Sequence, residues 1–175
     1  MARRLSNAIV NRLTENCDDF ICHPFANYAV QRILKCGFYP QACDYIIEQA
    51  ILRNVLLLAQ DKFGSYSVQA ALSHASPALL NSLVTEIIDG YESDNRGRDA
   101  LDVMLFNQYG NYVVQTLINV SMDVLADRRP GQQSWFTHVV DHVVKHASDL
   151  RKYTFGKKIL QKLSECGVEF EIPLF

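Results

Sequence analysis

Phe25-Ala-Asn-Tyr-Ala-Val-Gln-Arg-Ile-Leu34 is the stretch that decides the fold, because its pattern occurs four times along the 175-residue chain. The other copies are Phe63-Gly-Ser-Tyr-Ser-Val-Gln-Ala-Ala-Leu72, Tyr109-Gly-Asn-Tyr-Val-Val-Gln-Thr-Leu-Ile118 and Phe155-Gly-Lys-Lys-Ile-Leu-Gln-Lys-Leu-Ser164. Each copy opens with an aromatic and a small residue and has a glutamine six positions after the aromatic. These glutamines (Gln31, Gln69, Gln115 and Gln161) are 38, 46 and 46 residues apart. Repetition at intervals of this length indicates a repeat architecture.

Signals for helix ends surround the copies. Ser76 is placed to cap a helix that has Pro77 at its first position and stops at Gly90. Ser134 is placed to cap a further helix that continues through Ala147, and Gly37 is placed to end the helix of the first copy. No stretch shows the sustained alternation of apolar and polar residues that a half-buried strand requires.

Each unit is therefore two or three short helices, too small to bury its own apolar face. Stacking of neighbouring units buries that face and gives an all-α, curved α-solenoid. We predict one domain over residues 1–175, with repeats at about 5–39, 40–77, 78–125 and 126–175, the last a capping repeat. Two polar insertions, at 90–99 and 126–133, are expected to form loops at one edge, either solvated or in contact with partners.

Composition excludes several classes of protein. The chain is 49% hydrophobic and 21% charged, as in ordinary soluble domains. No apolar run is long enough to span a membrane. The first residues, Met-Ala-Arg-Arg-Leu-Ser, lack the apolar run of a secretory signal. The five cysteines include no Cys-x-x-Cys pair, which predicts reduced, mostly buried thiols in a cytosolic protein rather than a zinc module.

The net charge of −2 is evidence against a protein that holds duplex DNA or RNA, because phosphate neutralisation dominates duplex binding. A protein that contacts the bases of a single strand remains compatible with this charge.

The motif has the residues that such base contacts require. Asn27 with Gln31, Ser65 with Gln69, and Asn111 with Gln115 are four positions apart and share one face of a helix. A tyrosine follows the first residue of each pair, at Tyr28, Tyr66 and Tyr112. Amide groups can bond a base edge while aromatic rings stack between successive bases.

This constellation resembles the Pumilio (PUF) family. The Asn-Tyr-x-x-Gln segments of the first and third units are similar to the family's uracil-recognising residues, and Leu150–Leu160 is similar to its terminal capping repeat. The resemblance implies a right-handed superhelix that binds single-stranded RNA antiparallel to the repeats, so that the third unit contacts the 5′ base. Family domains have about twice as many repeats, so the chain resembles the C-terminal half of one.

Carried over by residue, the resemblance implies the target 5′-U-A-U-3′. Asn111, Gln115 and Tyr112 would bind the first uracil, and Asn27, Gln31 and Tyr28 the second. The middle unit departs from the family: Ser65 is paired with Gln69, where relatives that recognise U-G-U have glutamate. A neutral amide cannot accept both donors of guanine and fits adenine better. In the fourth unit, Lys157 and Lys158 replace the base-contacting residues and are expected either to contact phosphate or to solvate the end of the stack.

Other residue patterns favour structural roles. The aromatic residues that open the copies (Phe25, Phe63, Tyr109 and Phe155) are expected in the core. His138, His142 and His146 share a helical face that is expected to be a solvated stripe without a metal. The sequence has no catalytic triad, phosphate-binding loop or paired-carboxylate site. We therefore expect no enzyme activity and no cofactor.

The resemblance further implies binding to messenger RNA 3′ untranslated regions in the cytoplasm, and lowered translation or stability through proteins of the repression and deadenylation machinery. Two alternatives stay open: a protein-binding solenoid of armadillo or HEAT type, and a relative that binds structured RNA without sequence preference. The first unit has no evident cap before Leu5, which predicts apolar surface and self-association into a homo-oligomer.

Overall fold

The computed structural model describes the backbone of residues 2–170 and the side chains of residues 7–170. The expectations that rest on the first six side chains, including Leu5, lie outside the described residues. The described chain is helical and contains no strand, which confirms the all-α prediction. The helices are α1 (Ala2–Glu15), α2 (Cys17–Ile21), α3 (Asn27–Cys36), α4 (Pro40–Ile46, continued by a π-helical turn, Ile47–Ile51), α5 (Val55–Ala59), α6 (Gly64–His74), α7 (Pro77–Asp89), α8 (Ala100–Phe106), α9 (Gly110–Leu125), α10 (Ser134–Lys145), α11 (Ala147–Leu150) and α12 (Thr154–Glu165).

The helices repeat in the order short helix, motif helix, third helix. We call α3, α6, α9 and α12 the motif helices because they carry the four copies of the sequence pattern. Motif helices α3, α6 and α9 pack side by side, and α12 packs most closely on α11. The stacking of similar units confirms the predicted α-solenoid, whereas the repeat boundaries given above stay a prediction.

The buried face of the motif helices is the one that helical spacing predicts. Val30, Val68, Val114 and Leu160 occupy the same position of the motif, and each is at most 2% exposed. Because no unit could cover these side chains alone, their burial depends on the neighbouring unit.

Two glycines mark the places where a motif helix starts against the short helix before it. A Cβ atom at Gly110 would lie 2.8 Å from the backbone oxygen of Met104, and one at Gly156 would lie 2.0 Å from that of Leu150. No side chain fits at such distances. The recurring glycine of the motif is therefore explained by helix crossing rather than by a ligand.

The predicted helix ends are confirmed in part. Pro77 begins α7 after Ser76, Gly90 follows its end, and Gly37 ends α3 with a left-handed φ of 68°. Ser134, however, is the first residue of α10 rather than its cap. The chain enters this helix through a turn in which the Trp135 N–H bonds the Gln132 oxygen.

The prediction that all four opening aromatics lie in the core is wrong for Phe25, which is 82% exposed. In the first unit the motif helix begins at Asn27, two residues after the aromatic, so Phe25 lies on the preceding turn. The other three (Phe63, Tyr109 and Phe155) are half-buried.

The histidines of α10 do not form a solvated stripe, because two of them bond carboxylates of α8 and its cap. His142 Nε2 lies 2.6 Å from Asp99 Oδ2, and His146 Nε2 lies 2.7 Å from Asp102 Oδ1. Burial alone would lower the pKa of His142, but its bonds to Asp99 and the His138 carbonyl outweigh burial and raise that pKa. Of the three histidines, His138 alone is exposed. Sequence spacing could not show this, because Asp99 and His142 are 43 residues apart.

Each cysteine thiol is free in the structure. Cys17 and Cys43 are buried, Cys22 and Cys36 are half-buried, and Cys166 is exposed. Burial, with help from the nearby Asp44 charge, raises the pKa of Cys43 to about 11, so this thiol stays protonated and unreactive at neutral pH. No helix in the described part of the chain has the length and apolar character needed to cross a bilayer.

The second insertion packs onto the unit before it. Arg129 donates to the backbone oxygens of Leu72 (2.7 Å) and Ala75 (3.2 Å), which lie at the end of α6. Gln132 donates to Asn81 Oδ1 of α7 at 2.6 Å. The loop therefore ties the second unit to the third.

We expect Arg129→Ala to lower the free energy of unfolding by about 1–3 kcal/mol, since it leaves carbonyl groups at the end of α6 without a charged donor. Arg128→Ala is the matched control, because Arg128 is exposed and pairs only with Asp123 at the surface; about 0–1 kcal/mol is expected there. Urea denaturation of both variants measures the difference. Equal losses in the two variants would contradict the role given to Arg129.

Candidate nucleic-acid interface

The first turn of each of the first three motif helices is fixed by a polar side chain two residues before the aromatic. Asp61 Oδ1 accepts from the N–H groups of Phe63 (2.8 Å) and Gly64 (2.6 Å). Asn107 Oδ1 accepts from Tyr109 and Gly110, and His23 Nδ1 accepts from Phe25 and Ala26 in the same way. These bonds satisfy donors that a helix start leaves unpaired. Sequence analysis missed this set, although the residues recur at the spacing of the glutamines.

The structure brings together the paired polar residues of the motif. Gln31 Nε2 donates to Asn27 Oδ1 at 2.8 Å, and Gln115 Nε2 donates to Asn111 Oδ1 at 3.1 Å. In the second unit the smaller Ser65 leaves its backbone oxygen as the acceptor for Gln69 Nε2, at 3.1 Å.

The asparagines of these pairs are anchored to the backbone. Asn27 Nδ2 donates to the oxygens of His23 (2.7 Å) and Pro24 (3.1 Å), and Asn111 repeats both bonds in the third unit. Both asparagines are at most 1% exposed. In this conformation the asparagine orients the glutamine amide above it. A direct bond from Asn27 or Asn111 to a base requires the glutamine to move aside, and it stays a prediction.

The three tyrosines of the motif lie on the surface beside these pairs. Tyr28, Tyr66 and Tyr112 are 66%, 51% and 54% exposed. These side chains are therefore not buried between neighbouring repeats. Because α3, α6 and α9 are neighbours, their tyrosines form a row, one from each unit. We call the nine residues of the three pairs and tyrosines the motif surface: Asn27, Tyr28, Gln31, Ser65, Tyr66, Gln69, Asn111, Tyr112 and Gln115.

The first unit has one further residue in contact with its glutamine. Lys35 Nζ donates to Gln31 Oε1 at 3.1 Å, which extends a chain of hydrogen bonds from Lys35 through Gln31 to Asn27. The second and third units have Ser73 and Asn119 at this position. Sequence analysis missed Lys35 because it lies outside the five-residue pattern.

The fourth unit has a different arrangement. Lys157 and Lys158 are exposed on the first turn of α12. Gln161 donates to Glu165 Oε1 at 3.0 Å, so its amide is turned along the helix rather than toward the position that asparagine occupies in other units. The structure therefore shows no polar pair in this unit.

A known family of repeats matches the segments that carry the first three motif helices. The Pumilio-family RNA binding repeat matches residues 16–49, 54–88 and 106–123. The chain belongs to the Pumilio family. Its Caenorhabditis elegans relatives include Pumilio domain-containing protein 5, 36% identical over 94% of this chain and 32% of that protein. Fem-3 mRNA-binding factor 2 of the same organism is 31% identical over 94% of this chain and 28% of its own length.

Among solved structures, that of PUF-6 in complex with 5BE13 RNA is similar, with a TM-score of 0.83 and 33% identity. The match covers 93% of this chain and 46% of that one. The chain thus spans about a third of the length of the curated Pumilio relatives described above and about half of the PUF-6 domain.

We expect Asp61→Ala to lower the free energy of unfolding by about 1–2 kcal/mol, because it leaves two N–H groups at the start of α6 unpaired. Asp61→Asn is the matched control, since it retains an oxygen at the same position. Burial alone would raise the pKa of Asp61, but the N–H bonds from Gly64 and Phe63 outweigh burial and lower that pKa. The stabilisation is therefore present at neutral pH and is lost as the pH falls through the lowered pKa. Denaturant unfolding at pH 7 and at acid pH tests both effects. An alanine variant as stable as the asparagine variant would contradict the role given to the Asp61 side chain.

Proposed function

We propose that this chain binds single-stranded RNA on the motif surface, with one base opposite each of the first three units. The observation that carries the proposal is the row of exposed tyrosines, each beside a polar pair on the same helix. Tyrosine faces can stack on unpaired bases, and the glutamine amides offer hydrogen bonds to base edges. At least half of the surface of each tyrosine stays open to solvent, which leaves the ring available to a ligand.

The base sequence that fits these residues is 5′-U-A-U-3′, from the third unit to the first. The Watson–Crick edge of adenine has one donor and one acceptor, and so does the amide of Gln69. Guanine presents two donors on that edge, which a carboxylate accepts better than an amide. The Asn–Gln pairs of the outer units are assigned to uracil by their resemblance to the family pattern.

Two similarities support binding to RNA. One relative is named an mRNA-binding factor, and PUF-6 was solved with RNA bound. Following the family resemblance, we assign the chain to messenger RNA 3′ untranslated regions in the cytoplasm. There it would lower translation or stability through recruited proteins.

Three bases make a short site. Stacking contributes about 1–3 kcal/mol per base, and association carries a large entropic cost. Tight binding then requires further repeats or a second copy of the chain. Ile9 of α1 and Phe38, which follows α3, are exposed and supply apolar surface against which either could pack.

A protein-binding solenoid is the second candidate, because fold alone does not decide function. The repetition of tyrosine beside a polar pair in three units favours RNA, since a peptide groove has no reason to repeat these residues unit by unit.

We expect Gln69→Glu to change the preferred middle base from adenine to guanine, since a carboxylate accepts both guanine donors. Fluorescence anisotropy with RNAs that contain U-A-U, U-G-U or C-C-C within one longer site measures this preference. Gln161→Glu is the matched control: it makes the same change in the fourth unit, where no base contact is expected. Preference for U-G-U by the unaltered chain would contradict the assignment of Gln69. Failure to bind any of these RNAs would favour the protein-binding alternative.

We expect Tyr112→Ala to weaken binding of the U-A-U RNA by roughly 5- to 150-fold, as the loss of one stacked base implies. Tyr45→Ala is the control, because Tyr45 is similarly exposed but lies on α4, outside the motif helices. The same anisotropy titration serves both variants. Equal affinities for the two variants would mean that Tyr112 does not stack on a base.

A further inference from the structure

A compact group of metal-ligating side chains lies between α8 and α10, on elements that carry none of the motif surface. Asp99 and Asp102 come from the cap and first turn of α8, and His142 comes from the last turn of α10. One ligand atom from each lies within 4.8 Å of the other two. Sequence analysis expected no metal here, because the histidine spacing alone could not show that two carboxylates meet these histidines.

The hydrogen bonds of His142 direct its Nε2 atom toward the carboxylate of Asp99. His142 Nδ1 lies 2.9 Å from the His138 backbone oxygen, which can only accept, so Nδ1 bears a hydrogen. Nε2 then faces Asp99 Oδ2 at 2.6 Å. In the neutral ring this nitrogen presents a lone pair to a carboxylate, which is repulsive unless a proton or a metal ion lies between them.

Asp102 strengthens the case, because it is a buried carboxylate with an ordered orientation. It is 2% exposed, and its Oδ1 is held by His146 Nε2 at 2.7 Å. The other oxygen, Oδ2, pairs with the exposed Lys145 and becomes available to a metal ion when that side chain turns away. Hydrogen bonds such as that from His146 to a ligating carboxylate typically orient metal sites. A neutral imidazole with two carboxylates would balance the charge of a divalent ion.

We propose that Asp99, Asp102 and His142 bind a divalent transition-metal ion, with zinc the best fit, and that His146 positions Asp102. Imidazole nitrogen and carboxylate oxygen are zinc ligands, and three protein ligands leave a fourth position for water. Tetrahedral bonds of about 2.0–2.2 Å place ligand atoms roughly 3.3 Å apart. The His142–Asp99 pair therefore opens by somewhat more than half an ångström when the metal replaces the proton.

One neighbouring charge must move for the ion to bind. Lys145 Nζ lies 3.4 Å from Asp102 Oδ2, and its side chain is 62% exposed, so it can turn into solvent. The bound ion would join α8 to α10 within the third unit, next to the start of α11. The bound ion would therefore stabilise the part of the solenoid formed by α8 and α10. This effect does not depend on whether the motif surface binds RNA.

The test is isothermal titration of the chelator-treated chain with zinc chloride, with thermal melting as a second measurement. We expect one ion per chain and a higher melting temperature with zinc. His142→Ala and Asp99→Asn should each weaken zinc binding at least tenfold; the asparagine retains an oxygen to cap α8. His146→Ala should weaken it roughly 10- to 100-fold, as is usual for residues that orient a ligand.

His74→Ala is the matched control, because His74 is an exposed histidine of α6 outside this group. This variant should bind zinc as tightly as the unaltered chain. Replacing zinc with cobalt distinguishes binding at this site from binding to the free cysteines. Cobalt bound by nitrogen and oxygen ligands has visible absorption bands but lacks the charge-transfer band of a thiolate ligand. The proposal is overturned if zinc does not bind, if His142→Ala binds zinc as tightly as the unaltered chain, or if cobalt gives a thiolate band.

Discussion

In the second, third and fourth units, the close crossing of the short helix over the start of the motif helix sets the geometry of the repeat. At Gly110 and Gly156 the two backbones approach to distances that leave no room for a Cβ atom. Successive motif helices α3, α6 and α9 lie side by side and bury the same apolar position, from Val30 to Val114.

The same constraint places the polar residues of the motif. Once a motif helix starts against its short helix, its first turn is fixed by Asp61 or Asn107. The second residue of α9, Asn111, is then buried in this first turn, and the tyrosine that follows it projects to the surface. Exposure of Tyr66 and Tyr112 is thus a consequence of packing, because among residues 7–170 no element fully covers the helix face that carries them.

Much of the fold could be predicted from the sequence because the repeat is read directly from residue spacing. Helical period and capping signals also located Pro77 and the end of α3. The wrong predictions have two physical origins: contacts between residues that are distant in sequence, and helix starts that are shifted by a few residues. Phe25 is exposed because α3 begins two residues later than the pattern implies. The pairing of His142 with Asp99 and the anchoring of Arg129 to α6 depend on contacts between helices that are distant in sequence, which no local pattern records.

The chain of hydrogen bonds that begins at Lys35 has a consequence for how such repeats are decoded. Gln31 and Gln115 sit in the same Asn-Tyr-x-x-Gln motif, yet the carbonyl oxygen of Gln31 already accepts from an ammonium group. The first and third units, which have the same Asn-Tyr-x-x-Gln residues, thus differ in the hydrogen-bonding groups that they present. The first unit presents mainly donors, whereas in the third unit the Gln115 carbonyl oxygen is open as an acceptor. A residue one helical turn beyond the motif can therefore change the hydrogen-bonding groups of a unit while its motif residues stay the same. A recognition code based on the motif residues alone would assign the same base to both units.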